Sequence, residues 1–320
     1  MTGKHTIIVH GKRFDYELEI TRKVTVIKGN SGTGKTTLIN ALQGYATDKR
    51  KSGFVVYSDI KFGVLNKDSR WSLDLADSRY DILFVDENVE YIYTKAFQVE
   101  FANSDKYLVV ISRSGSFCHL PYAVNSVYEF RTSKTSKGYV TKIYNVYKDT
   151  LSSVSPDLVI TEDSNSGKEM MDTIFNCDVI SANGNGSVYS TVISHLKTDK
   201  VIYVIVDGAA SGGYIQKVLS ISKYFEVYIF SPESFEYLLL NTGTFRRHLS
   251  GEIDRTWDYC DISKFQTWEE YFTRLLSKLC KDIYGFDYSK SKLAPFFLKK
   301  GFPDKVKEQL SDIIDFNKDL

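Results

Sequence analysis

The segment VTVIKGNSGTGKTTLINAL, residues 24–42, sets Gly29, Gly34, Lys35 and Thr36 in the spacing G-x-x-x-x-G-K-[ST]. An apolar run ends at Lys28 before it, and a helical LINAL follows. Glycines let a backbone wrap closely around phosphate oxygens, and the first turn of a helix directs unpaired N–H groups and a positive dipole end at them. The stretch Gly29, Asn30, Ser31, Gly32, Thr33, Gly34, Lys35, Thr36 and Thr37 is therefore expected to cradle a nucleoside triphosphate, ATP or GTP. Lys35 is the expected catalytic cation on the β and γ phosphates, and the Thr36 hydroxyl is expected to hold Mg²⁺.

A partner acid lies in RYDILFVDEN, where the apolar strand ILFV ends in Asp86. A carboxylate there suits the same Mg²⁺, and Glu87 beside it is the expected catalytic residue that orients and activates the attacking water. A third apolar run, YLVVIS, ends at Ser112 and Arg113. Either suits a γ-phosphate sensor, and a surface turn explains them equally well.

The second half presents acids differently. DLVIT runs into Glu162, and VIYVIV runs into Asp207 and then GAASGG. Two carboxylates at the ends of two strands suit one Mg²⁺, which takes one or two carboxylates directly and fills its shell with water and phosphate. A two-metal site needs more acids, and position 209, where a second acid would stand, is Ala209. Asp163 and Glu233 are the acids near enough in sequence to compensate. Three readings stay open here: a weakened one-metal site, the same fold without catalysis, and an ordinary α/β turn. Gly167 and Lys168 also suggest a phosphate loop, but Glu162 stands where its first glycine belongs and Glu169 replaces its hydroxyl residue, so nucleotide is not expected there.

The elements that must position these residues divide in two. Residues 1–150 contain the short apolar runs TIIVH, VTVIK, FVVYS, DILFVDE and YLVVIS, with an antiparallel hairpin expected from RTSKTSKGY and KIYNVY. The Ser- and Pro-containing YKDTLSSVSPD reads as a linker. Over residues 157–320 strands alternate with helical stretches, which predicts a parallel sheet covered by helices, and from about residue 266 the periodicity is that of a helical tail. The expected class is α/β in two domains.

Composition narrows the setting. The 320 residues carry 41 basic and 40 acidic side chains, so a strongly basic nucleic-acid clamp is not expected, although the first half is mildly basic and the second mildly acidic. Cys118, Cys177, Cys260 and Cys280 lie far apart, which fits reduced thiols rather than a zinc site. His5, His10, His119, His195 and His248 form no HxH or HxxxH pair. The RRH at 246–248 is a candidate phosphate-backbone contact or a solvated loop, and the many Tyr and Phe residues fit core positions or stacking platforms. The longest apolar run, VIYVIV, is far short of a membrane span, so no membrane partner and a cytoplasmic location are expected.

The Asp86-Glu87 pair after the phosphate loop resembles that of ABC-type and AAA-type ATPases, in reduced form and with no LSGGQ-like signature. The segment from about 155 to 245 resembles TOPRIM domains of topoisomerases, primases and OLD-family nucleases. The likeness rests on Glu162, VISANGNGS, Asp207 and SPESFEYLLL, whose S-x-E-x-x-L element gives Glu236 a supporting role. It departs at Asp163, where glycine is usual, and at Ala209. Together the resemblances imply a P-loop NTPase domain followed by a TOPRIM-like (Rossmann-like) domain with a helical tail, similar to OLD-family and anti-phage ATPase and TOPRIM proteins. They imply nucleotide turnover that controls action on, or binding of, DNA or RNA, with Mg²⁺ as cofactor. Alternatives are an NTP-switched interaction protein acting through a protein partner or as a homo-oligomer, and a small-molecule phosphotransferase.

Overall fold

The computed structural model describes residues 1–316 except Ser31, Glu87, 114–119, 148–152, Thr198 and Lys300. The chain is α/β and divides into two units: Met1–Tyr147 with Trp257–Thr267, and Lys148–Thr256 with Trp268–Leu320.

The first unit contains β1 (His5–His10), β2 (Phe14–Ile20), β3 (Val24–Lys28), α1 (Lys35–Thr47), β4 (Val55–Ser58), β5 (Phe62–Leu65), α2 (Trp71–Ala76), β6 (Ile82–Asp86), α3 (Lys95–Ala102), β7 (Tyr107–Ser112), β8 (Val127–Thr135) and β9 (Gly138–Asn145). The strands form one sheet in the order β4-β1-β2-β9-β8-β3-β7-β6-β5. The run β8-β3-β7-β6-β5 is parallel throughout, whereas β1 pairs antiparallel with β2 and β4, and β8 and β9 form the antiparallel hairpin.

Burial explains which strands are central. In β6 and β7 nearly every residue is apolar because both faces are covered. Ile82, Phe84, Val109 and Ile111 join Leu38 and Leu42 of α1 in one core, and Leu83, Val85, Leu108 and Val110 join Leu75, Phe97 and Phe101 of α2 and α3 in the other. Ile262, from the returning segment, is buried in the first of these cores. Its carbonyl and that of Ala102 accept from the buried Lys23 ammonium at 3.2 and 2.7 Å.

The second unit contains β10 (Leu158–Thr161), α4 (Ser166–Ile174), β11 (Asp178–Ser181), α5 (Asn185–His195), β12 (Ile202–Ile205), α6 (Gly212–Ile221), β13 (Val227–Phe230) and α7 (Phe235–Asn241). A short α8 (Thr256–Tyr259) leads into the returning segment, and α9 (Trp268–Leu279) and α10 (Phe302–Leu310) follow. Its four strands are all parallel, in the order β11-β10-β12-β13. Val159, Tyr203 and Ile205 face a core shared with α4, α7 and the tail helices through Met171, Leu239, Phe272 and Val306. The alternate residues Ile160 and Val204 turn to the other face by the pleat, where α5 and α6 pack together. The tail helices are therefore half of this core. Free thiols at Cys177, Cys260 and Cys280 agree with the expected reduced cysteines, and Cys118 and His119 lie outside the described residues.

Candidate functional sites

The phosphate-loop candidate starts where β3 ends and closes where α1 begins. Gly34 caps α1 in the left-handed region, with φ 88° and ψ 5°. Its carbonyl accepts from Leu38 N at 3.0 Å and from the Tyr16 hydroxyl at 2.9 Å. A side chain at this position would meet the Tyr16 hydroxyl at 2.7 Å. Tyr16 is itself fixed in the core, edge-on to Phe14 and against Phe130, and burial raises its pKa although a bond with the Thr37 hydroxyl opposes this.

The Lys35 side chain folds back along the loop. Its ammonium donates to the carbonyls of Gly29 at 2.5 Å and Asn30 at 2.6 Å, and to the Thr33 hydroxyl at 3.1 Å. Lys35 is buried, whereas Gly32, Thr36 and Thr37 are exposed. Ser31 lies outside the described residues.

Strand order brings the other candidates to the same edge. β7 lies between β3 and β6, Lys28 pairs with Ser112, and Asp86 pairs with Ile111. The loop, Ser112 and Asp86 thus sit at the carboxyl ends of three adjacent parallel strands, the edge where open α/β sheets bind ligands. Two strand spacings separate loop and acid, about 10 Å. The half-buried Asp86 keeps Oδ1 in an Asx turn, accepting from Asn88 N at 3.1 Å and Asn88 Nδ2 at 2.5 Å. Ser112 is fully buried and Arg113 is exposed; Glu87 lies outside the described residues.

The acids of the second unit also converge on strand ends. Glu162 follows β10 and accepts at Oε2 from the backbone N–H of Asp207 at 3.1 Å. Asp207 follows β12 and accepts at Oδ1 from Phe235 N at 3.0 Å, at the start of α7. Burial pushes the Glu162 carboxyl up to about 7, with Glu269 and Asp163 adding to the rise and the Asp207 amide opposing it. Asp207 is raised in the same direction by its complete burial and then by Glu269, Glu162 and Glu236. Both carboxylates line an open cavity of about 310 Å³, together with Glu236, Glu269 and Lys290.

Neighbouring candidates are occupied elsewhere. Asp163 caps α4, accepting from Asn165 N at 2.8 Å and Gly167 N at 2.7 Å, and Lys168 pairs with Asp172 on the same helix at 2.7 Å. Gly167 and Lys168 therefore form no phosphate loop. Ala209 is buried and donates its N–H to the Glu233 carbonyl at 2.9 Å, while Gly208 N bonds to Pro232 O at 2.6 Å. The turn after β12 is thereby strapped to the turn after β13. Arg246, in the RRH turn, lines a separate cavity of about 350 Å³ with Asp254.

Three residues enter the acidic cavity that sequence spacing did not single out. The Lys290 ammonium lies 2.5 Å from Glu269 Oε1 and 3.5 Å from Glu236 Oε1, and the Tyr288 hydroxyl donates to Glu236 Oε1 at 2.9 Å. Burial opposes the charge on Lys290, but Glu236 and Glu269 outweigh it and hold its pKa above the ordinary lysine value. Glu269, Tyr288 and Lys290 fall in the stretch read only as a helical tail, and no local pattern marks them.

The donor sets differ in how they suit Mg²⁺. Asp86 and the exposed Thr36 hydroxyl present oxygens at one sheet edge and fit an ion bridged to phosphate. In the second unit Glu162 and Asp207 each commit an oxygen to a backbone amide, and Glu236 and Glu269 face Lys290. Among the described residues no three His, Cys, Asp or Glu side chains converge as ligands of one metal ion. Nor is any described helix long and apolar enough to cross a membrane. Compared with models of known protein families, with curated proteins and with solved structures, the chain matches none.

Proposed function

We propose that the first unit binds and hydrolyses a nucleoside triphosphate with Mg²⁺, and that its nucleotide state controls a second, TOPRIM-like unit that meets nucleic acid. One observation carries this reading: the Lys35 ammonium rests on the carbonyls of Gly29 and Asn30 at the mouth of α1, on the same sheet edge as Asp86. A triphosphate entering the loop exchanges those carbonyls for phosphate oxygens, a stronger partner for an ammonium. The loop amides and the N-terminus of α1 then face the phosphates, and Thr36 and Asp86 face the ion. Mg²⁺ supplies neutralisation of the charge that develops on the phosphates. Glu87, next in the chain after Asp86, orients the water, and Ser112 lies between the loop and the acid.

Hydrolysis of ATP and GTP by the full chain tests the assignment. Lys35→Ala abolishes turnover, and Glu87→Gln retains nucleotide without turning it over. Unchanged turnover in Lys35→Ala would reject the site.

For the second unit, Ala209 and the commitment of Glu162 and Asp207 to backbone amides favour a further reading, in which this unit recruits a partner without cutting nucleic acid. Incubation of DNA and RNA with Mg²⁺ and Mn²⁺ separates the two. Cleavage lost in both Glu162→Ala and Asp207→Ala supports a nuclease, and nucleotide-dependent retention of intact nucleic acid or protein supports recruitment.

A further inference from the structure

The acidic cavity of the second unit holds a positive charge of its own. Glu236 is the most deeply placed of its acids: its side chain is 2 % exposed, yet it lines the opening. Oε1 accepts from the Tyr288 hydroxyl and faces Lys290, whereas Oε2 is buried with no hydrogen-bond partner. An unsatisfied buried carboxylate oxygen is costly, and a cation brought into the cavity relieves that cost. The cation already nearest is the Lys290 ammonium, which spans Glu236 and Glu269.

The backbone around Lys290 is fastened independently of this ammonium. The Lys290 carbonyl accepts from Ser166 N at 3.2 Å, Leu293 N donates to Glu169 Oε2 at 2.6 Å, and Tyr288 is anchored on Glu236. Only the flexible four-carbon stem of Lys290, itself 47 % exposed, has to swing for its head group to leave. An ion entering the vacated space would meet Glu236, Glu269 and the free oxygens of Glu162 and Asp207, all oxygen donors of the kind hard divalent cations take.

We infer that this cavity is a divalent-cation site kept shut by its own lysine: the Lys290 ammonium is the resident counter-ion, and a divalent ion binds between Glu236 and Glu269 only when that stem is displaced. The inference is independent of nucleotide binding by the first unit.

Mn²⁺ serves as the probe, titrated by electron paramagnetic resonance into the full chain without nucleotide. An Asp86→Asn background keeps the first unit from contributing. Removing one positive charge from beside the ion raises affinity at least about tenfold in Lys290→Met. Lys290→Arg stays at the parental affinity, and Glu236→Gln added to Lys290→Met removes the gain. Lys290→Gln repeats the measurement should the methionine variant fail to fold. Equal affinity with and without the lysine overturns the inference while leaving an ion site in place. Absence of binding in every variant overturns both the inference and any ion site here. A gain that survives Glu236→Gln overturns the placement of the ion.

Discussion

Placing a methyl group on Gly34 tests how the phosphate loop is held, because two separable costs meet at that atom. The first is conformational: at φ 88° an L-residue costs roughly 1–2 kcal/mol more than glycine. The second is steric. The new carbon would stand 2.7 Å from the Tyr16 hydroxyl, and Tyr16 cannot retreat because it is buried against Phe14 and Phe130. Overpacking of this kind adds about 1–3 kcal/mol. Tyr16→Phe alone loses one hydrogen bond, about 0.5–1.5 kcal/mol, since Leu38 N still serves the Gly34 carbonyl. With the hydroxyl gone, the nearest remaining ring atoms are 3.6 Å away, ordinary contact distance. Gly34→Ala is therefore expected to cost about 2–5 kcal/mol in the parent and about 1–2 kcal/mol in the Tyr16→Phe background, a coupling of about 1–3 kcal/mol. Urea unfolding of the full chain, followed by Trp71 and Trp257 fluorescence in a Trp268→Phe background, reads the first unit. Equal costs in the two backgrounds, within about 0.5 kcal/mol, would refute the idea that the Tyr16 hydroxyl fixes the loop.

Other outcomes follow from the second unit. Glu162 ordinarily titrates near 4.5 but is held at about 7, so the folded state keeps a proton that the unfolded state has released. Its contribution is complete below pH 4.5 and is lost as pH rises to 7, by roughly 2–3 kcal/mol, and Glu162→Gln flattens that slope in thermal melts across this window. A parent melt that does not weaken from pH 5 to 7 would contradict the assigned burial. Gly208→Ala drives a methyl to 2.5 Å from the Pro232 carbonyl and 2.9 Å from that of Ser231, both main-chain atoms. A loss above about 2 kcal/mol is expected in the second unit, with nucleotide affinity of the first unchanged, measurable by calorimetry and fluorescence titration.

Sequence patterns disclosed the elements better than their arrangement. Strands buried on both faces read as apolar runs, so β3, β6, β7, β10 and β12 were visible, as was the hairpin of β8 and β9. Local spacing also identified the loop glycines, because the turn requirement at Gly34 acts within a few residues. Strand order was not legible: nothing in YLVVIS says that β7 lies between β3 and β6. Asp163 read as a spare acid because its capping bonds depend on the start of α4, and Lys290 meets Glu236 from 54 positions away in the chain. Tyr16 likewise reaches Gly34 only through the order of the sheet.

The return of residues 257–267 bears on how the protein is made. On the ribosome the nine-stranded sheet has emerged long before Ile262 and the carbonyl that serves Lys23. A nascent chain stopped at residue 147 would leave the seat of Ile262 open to solvent and Lys23 short of one acceptor. Expression of that fragment alone should yield material that is less soluble than a circularly permuted version in which 257–267 precedes Met1. Translation must pass through most of the second unit before the first is finished.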